Sequence, residues 1–277
     1  MSVKRFGGLV VAGLILAVPL SAQTSDQPGP PSLLSPSGGD LSRFLPRDGF
    51  PEDGRRTMDS FAKNLGANFV GVFSKDNLGP FLIGASVTGA GSFFDKRIAT
   101  QYGTNSGGLL ANPGSTAGGA SVMLPLVGGM FLAGRFAHSD TFRAATYDMA
   151  QAFIVTATYT EVLKRAVGRP RPDLSDNRSF PSGHASNAFA LATVANAHFG
   201  PKIGVPAYLA AAAIGVARMQ KNVHNLSDVL AGATLGYVVG RTVVRHDGTP
   251  QRKAHFQIVP SAPASGAGVG AGFSVDW

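Results

Sequence analysis

The residues with the most chemical promise fall in three short segments. The first runs from Lys164 to Pro172 and carries Lys164, Arg165, Arg169 and Arg171. So many cations in so short a stretch repel one another unless an anion sits between them. A helix arrives at Lys164, and Gly168 supplies a left-handed stop. Pro170 and Pro172 stiffen the exit, since each fixes its own φ and restricts its predecessor. Lys164 and Arg171 therefore converge from a helix end and a rigid loop. By itself the run fits a solvated basic loop or a lipid-facing patch equally well.

The second segment is Ser179-Phe180-Pro181-Ser182-Gly183-His184, which opens a helix. Ser182 is a natural N-cap, and the free N–H groups behind it form an anion site helped by the helix dipole. Gly183 lets the backbone approach a phosphate closely. His184, in the first turn, can give a proton to a leaving oxygen. An ordinary helix cap accounts for the same residues. The third segment holds Arg218, His224 and Asp228. Ser227 reads as the cap of the last long helix, with Asp228 in its first turn and His224 on the loop before it. Across such a turn the carboxylate can accept the ring N–H, leaving the other nitrogen as a nucleophile. A capping Asp beside an unrelated His is the plain alternative.

Taken together, the three segments resemble the type 2 phosphatidic acid phosphatase (PAP2) superfamily, which is related to class A bacterial acid phosphatases and vanadium haloperoxidases. Its pattern is Lys, six residues, Arg-Pro; then Pro-Ser-Gly-His; then Ser-Arg, five residues, His, three residues, Asp. Lys164, Arg171 and Pro172 match the first part, Pro181 to His184 the second, and Arg218, His224 and Asp228 the third. The motifs span residues 164–228, and the helical pattern extends the likeness across 56–244. Ala217 stands where the pattern has Ser, which removes one hydroxyl contact to phosphate.

The resemblance implies an all-α helical bundle of the PAP2/haloperoxidase type and a metal-independent phosphatase without cofactor. His224 would attack phosphorus to form a phosphohistidine, oriented by Asp228, and His184 would protonate the departing alcohol. Lys164, Arg171 and Arg218, with Ser182 and the Gly183 amide, would hold the phosphoryl oxygens. Fixed donors for three equatorial oxygens and an in-line nucleophile are what phosphoryl transfer needs. The implied substrate is a phosphate monoester: a phosphatidic acid-type lipid, an isoprenoid (pyro)phosphate or a soluble ester. Two other readings share the same anion cradle. One is a vanadate-dependent haloperoxidase, and the other a catalytically silent lipid- or anion-binding envelope protein.

The elements that position these residues follow from hydrophobic periodicity. A short helix starts near Asp59-Ser60 and runs to Phe69; longer ones cover 78–94, 118–136, 141–167, 184–199, 204–220 and 227–244. Residues 102–119, rich in Gly, Asn, Ser and Thr, read as a loop. Apolar-polar alternation at 255–259 and 269–277 reads as a short C-terminal β-hairpin. His138, His198, His246 and His255 have no acid at useful spacing and read as structural or surface residues. Glu161, three residues before Lys164, reads as its helical partner.

Composition frames the rest. Hydrophobic content of 44% over 277 residues suffices for a full core. The net charge of +8 points to an anionic partner, a phosphate ester or a lipid head group. No basic helix or aromatic-basic interleaving argues for nucleic acid. The sequence has no Cys, which excludes disulfides, thiolate catalysis and Cys-ligated metals. Lys4 and Arg5, the apolar stretch 7–20 and Ser21-Ala22 read as a secretory signal over 1–22. The alternative is an uncleaved anchor. Export places the protein in the periplasm or cell envelope, with contact to a membrane surface. A Pro/Ser/Gly-rich linker covers 23–50, the phosphatase-like domain 51–245, and a Gly/Ala-rich tail 246–277. Uninterrupted apolar runs such as 205–217 fall short of the roughly 18 residues of a span, which favours a soluble or peripherally attached bundle. The oligomeric state is not legible.

Overall fold

In a computed structural model, residues 56–103 and 110–246 are described, together with the backbone of two short strands, His255–Gln257 and Gly272–Ser274. All of them fall in one unit, residues 42–277. The signal and the linker expected over 1–50 lie outside the described residues.

The helices in chain order are α1 (Phe61–Gly71), α2 (Leu78–Ser92), α3 (Asp95–Gly103), α4 (Ala111–Ala117), α5 (Ala120–Phe136), α6 (Asp140–Val167), α7 (Gly183–Phe199), α8 (Pro201–Gln220) and α9 (Leu226–His246). The architecture is all-α, as the sequence predicts. Strands β1 (His255–Gln257) and β2 (Gly272–Ser274) pair antiparallel, with Phe256 opposite Phe273. α8 begins three residues before its predicted start at 204 because Pro201 takes the first turn, where its missing N–H costs nothing. The loop expected over 102–119 is corrected: the end of α3 and all of α4 lie within it. α4 reads Ala-Asn-Pro-Gly-Ser-Thr-Ala, a poor helix former. Packing on α8 holds it helical, and no local periodicity reports that contact.

α7 is the central element and packs against α6, α8 and α9. Its contact with α9 explains the glycine content. Gly232, Gly236 and Gly240 recur every four residues and so lie on one helical face. A Cβ at Gly236 would stand 2.2 Å from the Ser186 carbonyl oxygen, and one at Gly232 would stand 2.5 Å from that of Ser182. Backbone meets backbone here, an approach that only small residues permit. The same contact brings the N-terminal ends of α7 and α9 together, and Ser182 N donates to the Asp228 carbonyl at 2.9 Å. Around this pair, Ala190, Val194, Val238, Val239 and Val243 form the largest core cluster with Val155 of α6.

Away from that end, Asp148 on α6 is fully buried and receives Arg56 through both oxygens, at 2.8 and 3.1 Å. His198 Nε2 lies 2.8 Å from the same carboxylate. His198 thus has an acid partner, correcting the reading from sequence spacing; the partner is fifty residues away in the chain. Glu161 is also reassigned, since it pairs with Arg165 at 3.1 Å and with Arg178 rather than with Lys164.

Several helices present large apolar side chains outward. Leu82 and Ile83 on α2, Leu124 and Leu132 on α5, and Leu209 on α8 are all at least 60% exposed. Among the described residues one helix, α8, is long and apolar enough to cross a membrane, or two if the bent pair α4 and α5 is taken as one span.

Candidate active site

The site forms where α6 ends and α7 and α9 begin. α6 stops at Gly168 (φ 58°, ψ 33°), whose N–H returns to the Lys164 carbonyl at 3.1 Å. The following loop is tied down by backbone bonds: Ser179 N to Arg169 O at 2.9 Å, Arg171 N to Asp176 O at 2.9 Å, and Asp173 N to Asn222 O at 3.0 Å. It therefore lies across both the α7 start and the α8–α9 turn. Lys164 Nζ donates to the Arg178 carbonyl, and Arg171 Nε to Asp176 Oδ1 at 2.6 Å. Ser182 takes the N-cap position of α7 as predicted, yet its hydroxyl makes no capping hydrogen bond. Arg218 is 8% exposed in the last turn of α8, and His224 is 4% exposed on the turn before α9.

The structure brings the predicted residues to one place. Lys164, Arg171 and Arg218 act electrostatically on both His184 and His224. Burial is the main cause that lowers His224 from 6.5 to about 2, followed by Lys164, Arg218 and Arg171. Burial also leads in lowering His184 from 6.5 to about 4, with Arg218 next and the Ser115 carbonyl opposing. Both rings are thus neutral near pH 7, and His224 keeps the free lone pair that a nucleophile needs. His184 Nε2 lies 3.2 Å from the Ser115 carbonyl oxygen. A carbonyl only accepts, so Nε2 carries the proton of the neutral ring.

Three buried polar atoms at this place make no hydrogen bond: Ser182 Oγ, Arg218 Nε and His224 Nδ1. Unpaired buried groups of this kind are costly, and a bound anion would account for Ser182 Oγ and Arg218 Nε. Among the described residues no group of three or more His, Cys, Asp and Glu side chains could hold a metal ion.

One expected bond is not formed. His224 Nδ1 stands 3.9 Å from Asp228 Oδ2, beyond hydrogen-bond distance. The oxygens of Asp228 are taken by other partners. Oδ1 accepts from Arg169 at 2.7 Å; Oδ2 accepts from Ser179 Oγ at 2.6 Å and from Asn225 N at 2.7 Å. The last bond is the backward half of a capping box, with Asn225 just before the start of α9, two residues before the Ser227 expected. Asp228 therefore fastens the loop that carries His224 and faces its ring without bonding it.

Sequence reasoning missed four residues around this centre. Arg169 reads in the sequence as one more loop cation, yet it bridges Asp228, Ser227 Oγ at 2.7 Å and Asp95 Oδ2 at 2.9 Å. Asp95, at the start of α3, also accepts from Ser227 N at 3.0 Å and from Ser227 Oγ at 2.5 Å. Ser179 is legible in the sequence only as the first residue of its motif. Ser115 on α4 accepts from Arg218 Nη1 through its hydroxyl. Asp95 and Ser115 lie 132 and 103 residues from their partners, so no local spacing could have revealed them.

Comparison with known proteins places these residues in context. Residues 145–251 match the PAP2 superfamily model. A lipid A 1-phosphatase of Porphyromonas gingivalis is 42% identical over 80 residues, which is 28% of this chain and 18% of that protein. A PA-phosphatase related-family protein of Dictyostelium discoideum is 29% identical over 131 residues, covering 37% of this chain and 48% of that one. The chain thus spans less than half the length of either curated relative. Among solved structures, Aquifex aeolicus LpxE is 26% identical, with a TM-score of 0.41 over 48% of this chain and 81% of that one. A transmembrane PAP2-type phosphatidylglycerolphosphate phosphatase from Bacillus subtilis is 21% identical, with a TM-score of 0.45 over 68% and 94%. Lys164, Arg171, His184, Arg218, His224 and Asp228 all lie within the segment that matches the PAP2 superfamily model.

Proposed function

We propose that the protein is a metal-independent phosphatase that hydrolyses phosphate monoesters of lipids at a membrane face of the cell envelope. The observation that carries the reading is the pair of unpaired buried atoms, Ser182 Oγ and Arg218 Nε, beside three converging cations. A phosphoryl group satisfies such donors with its equatorial oxygens and neutralises the charges.

In the first step His224 attacks phosphorus through Nε2, the ring nitrogen away from Asp228. The bond from phosphorus to the ester oxygen breaks, and protonated His184 gives its proton to the departing alkoxide. In the second step His184 takes a proton from water, whose oxygen attacks phosphorus and releases His224 and inorganic phosphate. His184 needs a proton for the first step; burial lowers its pKa most, and a bound dianion offsets the further lowering by Arg218, Lys164 and Arg171.

A lipid substrate is favoured by the outward apolar side chains of α2, α5 and α8, which suit contact with a membrane surface. The name of the Porphyromonas relative points the same way. Export rests on Lys4, Arg5 and the apolar stretch behind them.

The test compares phosphate release from p-nitrophenyl phosphate, phosphatidic acid and an isoprenoid diphosphate, with and without detergent. Turnover that survives EDTA and vanishes in His224→Ala is the expected result. His184→Ala should slow poor leaving groups far more than good ones. Wild-type protein that releases no phosphate from any of the three refutes the proposal, and a preference for the soluble ester refutes its lipid part.

A further inference from the structure

α4 lies outside the segment that matches the family, yet it sits directly on the site. A Cβ at Gly114 would stand 2.5 Å from Ala217 Cβ, and one at Gly118 would stand 2.9 Å from His184 Cδ2. Leu110 N, just before α4, donates to Gln220 Oε1 at 3.1 Å. Between the two glycines, Ser115 meets both residues that handle the phosphoryl group: its hydroxyl accepts from Arg218 and its carbonyl from His184 Nε2.

Position 217 is where the superfamily pattern has Ser and this chain has Ala. Ala217 is fully buried, with the α4 backbone at Gly114 against its methyl group. Docking α4 therefore closes over the methyl at 217 and, one residue further along α4, brings a different hydroxyl to Arg218. A serine hydroxyl offers one donor and two acceptor positions. Arg218 uses an acceptor position of Ser115, and the hydroxyl hydrogen has no acceptor among the described residues.

We propose that Ser115 is a phosphate-binding residue, its hydroxyl taking over in space the contact that Ala217 lacks in the motif. The hydrogen of Ser115 Oγ is donated to a phosphoryl oxygen held by Arg218, while the Ser115 carbonyl keeps the proton of neutral His184 on Nε2. This inference rests on the phosphatase reading for its substrate, but it concerns the grip on a tetrahedral anion, which is measurable without turnover.

The experiment measures orthovanadate binding by calorimetry at fixed pH, and kcat/KM for p-nitrophenyl phosphate, in wild type, Ser115→Ala and Ser115→Thr. Loss of a donor to a transferring group costs about 10²–10³ in rate. Ser115→Ala is expected to weaken vanadate binding at least about tenfold and to lower kcat/KM within that range. Ser115→Thr, which keeps the hydroxyl, is expected to retain most of both. Vanadate affinity in Ser115→Ala within about twofold of wild type overturns the proposal, whatever happens to turnover or melting temperature. So does a loss in Ser115→Thr as large as that in Ser115→Ala. Wild type that binds vanadate but hydrolyses no ester instead overturns the phosphatase reading, and the binding comparison still decides the role of Ser115.

Discussion

The two site histidines are held neutral at a cost that the folded protein must bear in acid, and an anion should relieve it. For His184 the folded pKa is about 4 against 6.5 for an ordinary histidine, chiefly because of burial and Arg218. The unfolded chain therefore binds the extra proton between these two values, so stability is full above pH 6.5 and falls as pH drops toward 4. At about 1.4 kcal/mol per pH unit of displacement, His184 alone accounts for about 3 kcal/mol across that window. For a chain of this size that is a fall in melting temperature of about 6–10 °C. Other groups titrate there too, so the quantity to measure is the difference between wild type and His184→Asn. Thermal unfolding is followed from pH 7 to 4, with and without inorganic phosphate. The expected difference grows as pH falls and shrinks when phosphate is present, because the anion cancels the cations that depress His184. A difference that stays flat with pH, or one unchanged by phosphate, refutes the electrostatic account of the site.

Other predictions follow from the same geometry. Arg169→Lys keeps the charge but removes the fork that joins Asp228, Ser227 and Asp95, so kcat should fall about 10²-fold with little change in fold by circular dichroism. Lys164, lowered to about 8 mainly by burial and then by Arg171, loses its charge as pH rises past that value. Inhibition by inorganic phosphate should therefore weaken above pH 8, and Lys164→Arg should remove that break. Gly236→Ala pushes a methyl into the Ser186 carbonyl, 2.2 Å away, and should cost about 1–3 kcal/mol or more in denaturant unfolding. Gly66→Ala, with nothing within 4 Å, should be neutral or stabilise by about 0.5–1 kcal/mol.

Much of the fold was legible because the long helices carry their own signals. The stop at Gly168, the cap position of Ser182 and the apolar periodicity of α5 to α9 are local features, and each appears close to where the sequence predicts it. α4 was not legible, since Ala-Asn-Pro-Gly-Ser-Thr-Ala has no helical preference and folds against α8 only by contact. The partner of His198 was hidden for the same reason. Its carboxylate, Asp148, comes from a different helix.

By itself, the sequence determined which groups are available for chemistry, because their types and intervals are covalent facts: Lys164 and Arg171 flank a Gly-Pro turn, His184 opens a helix, and Asp228 follows His224 by one turn. Tertiary structure alone decided how those groups are used. A carboxylate has few acceptor positions, and Arg169, Ser179 and Asn225 fill those of Asp228 before His224 can reach them. Likewise, only the docking of α4 on α8 sets Ser115 beside Arg218, since side chains so far apart along the chain meet only when packing brings their helices together.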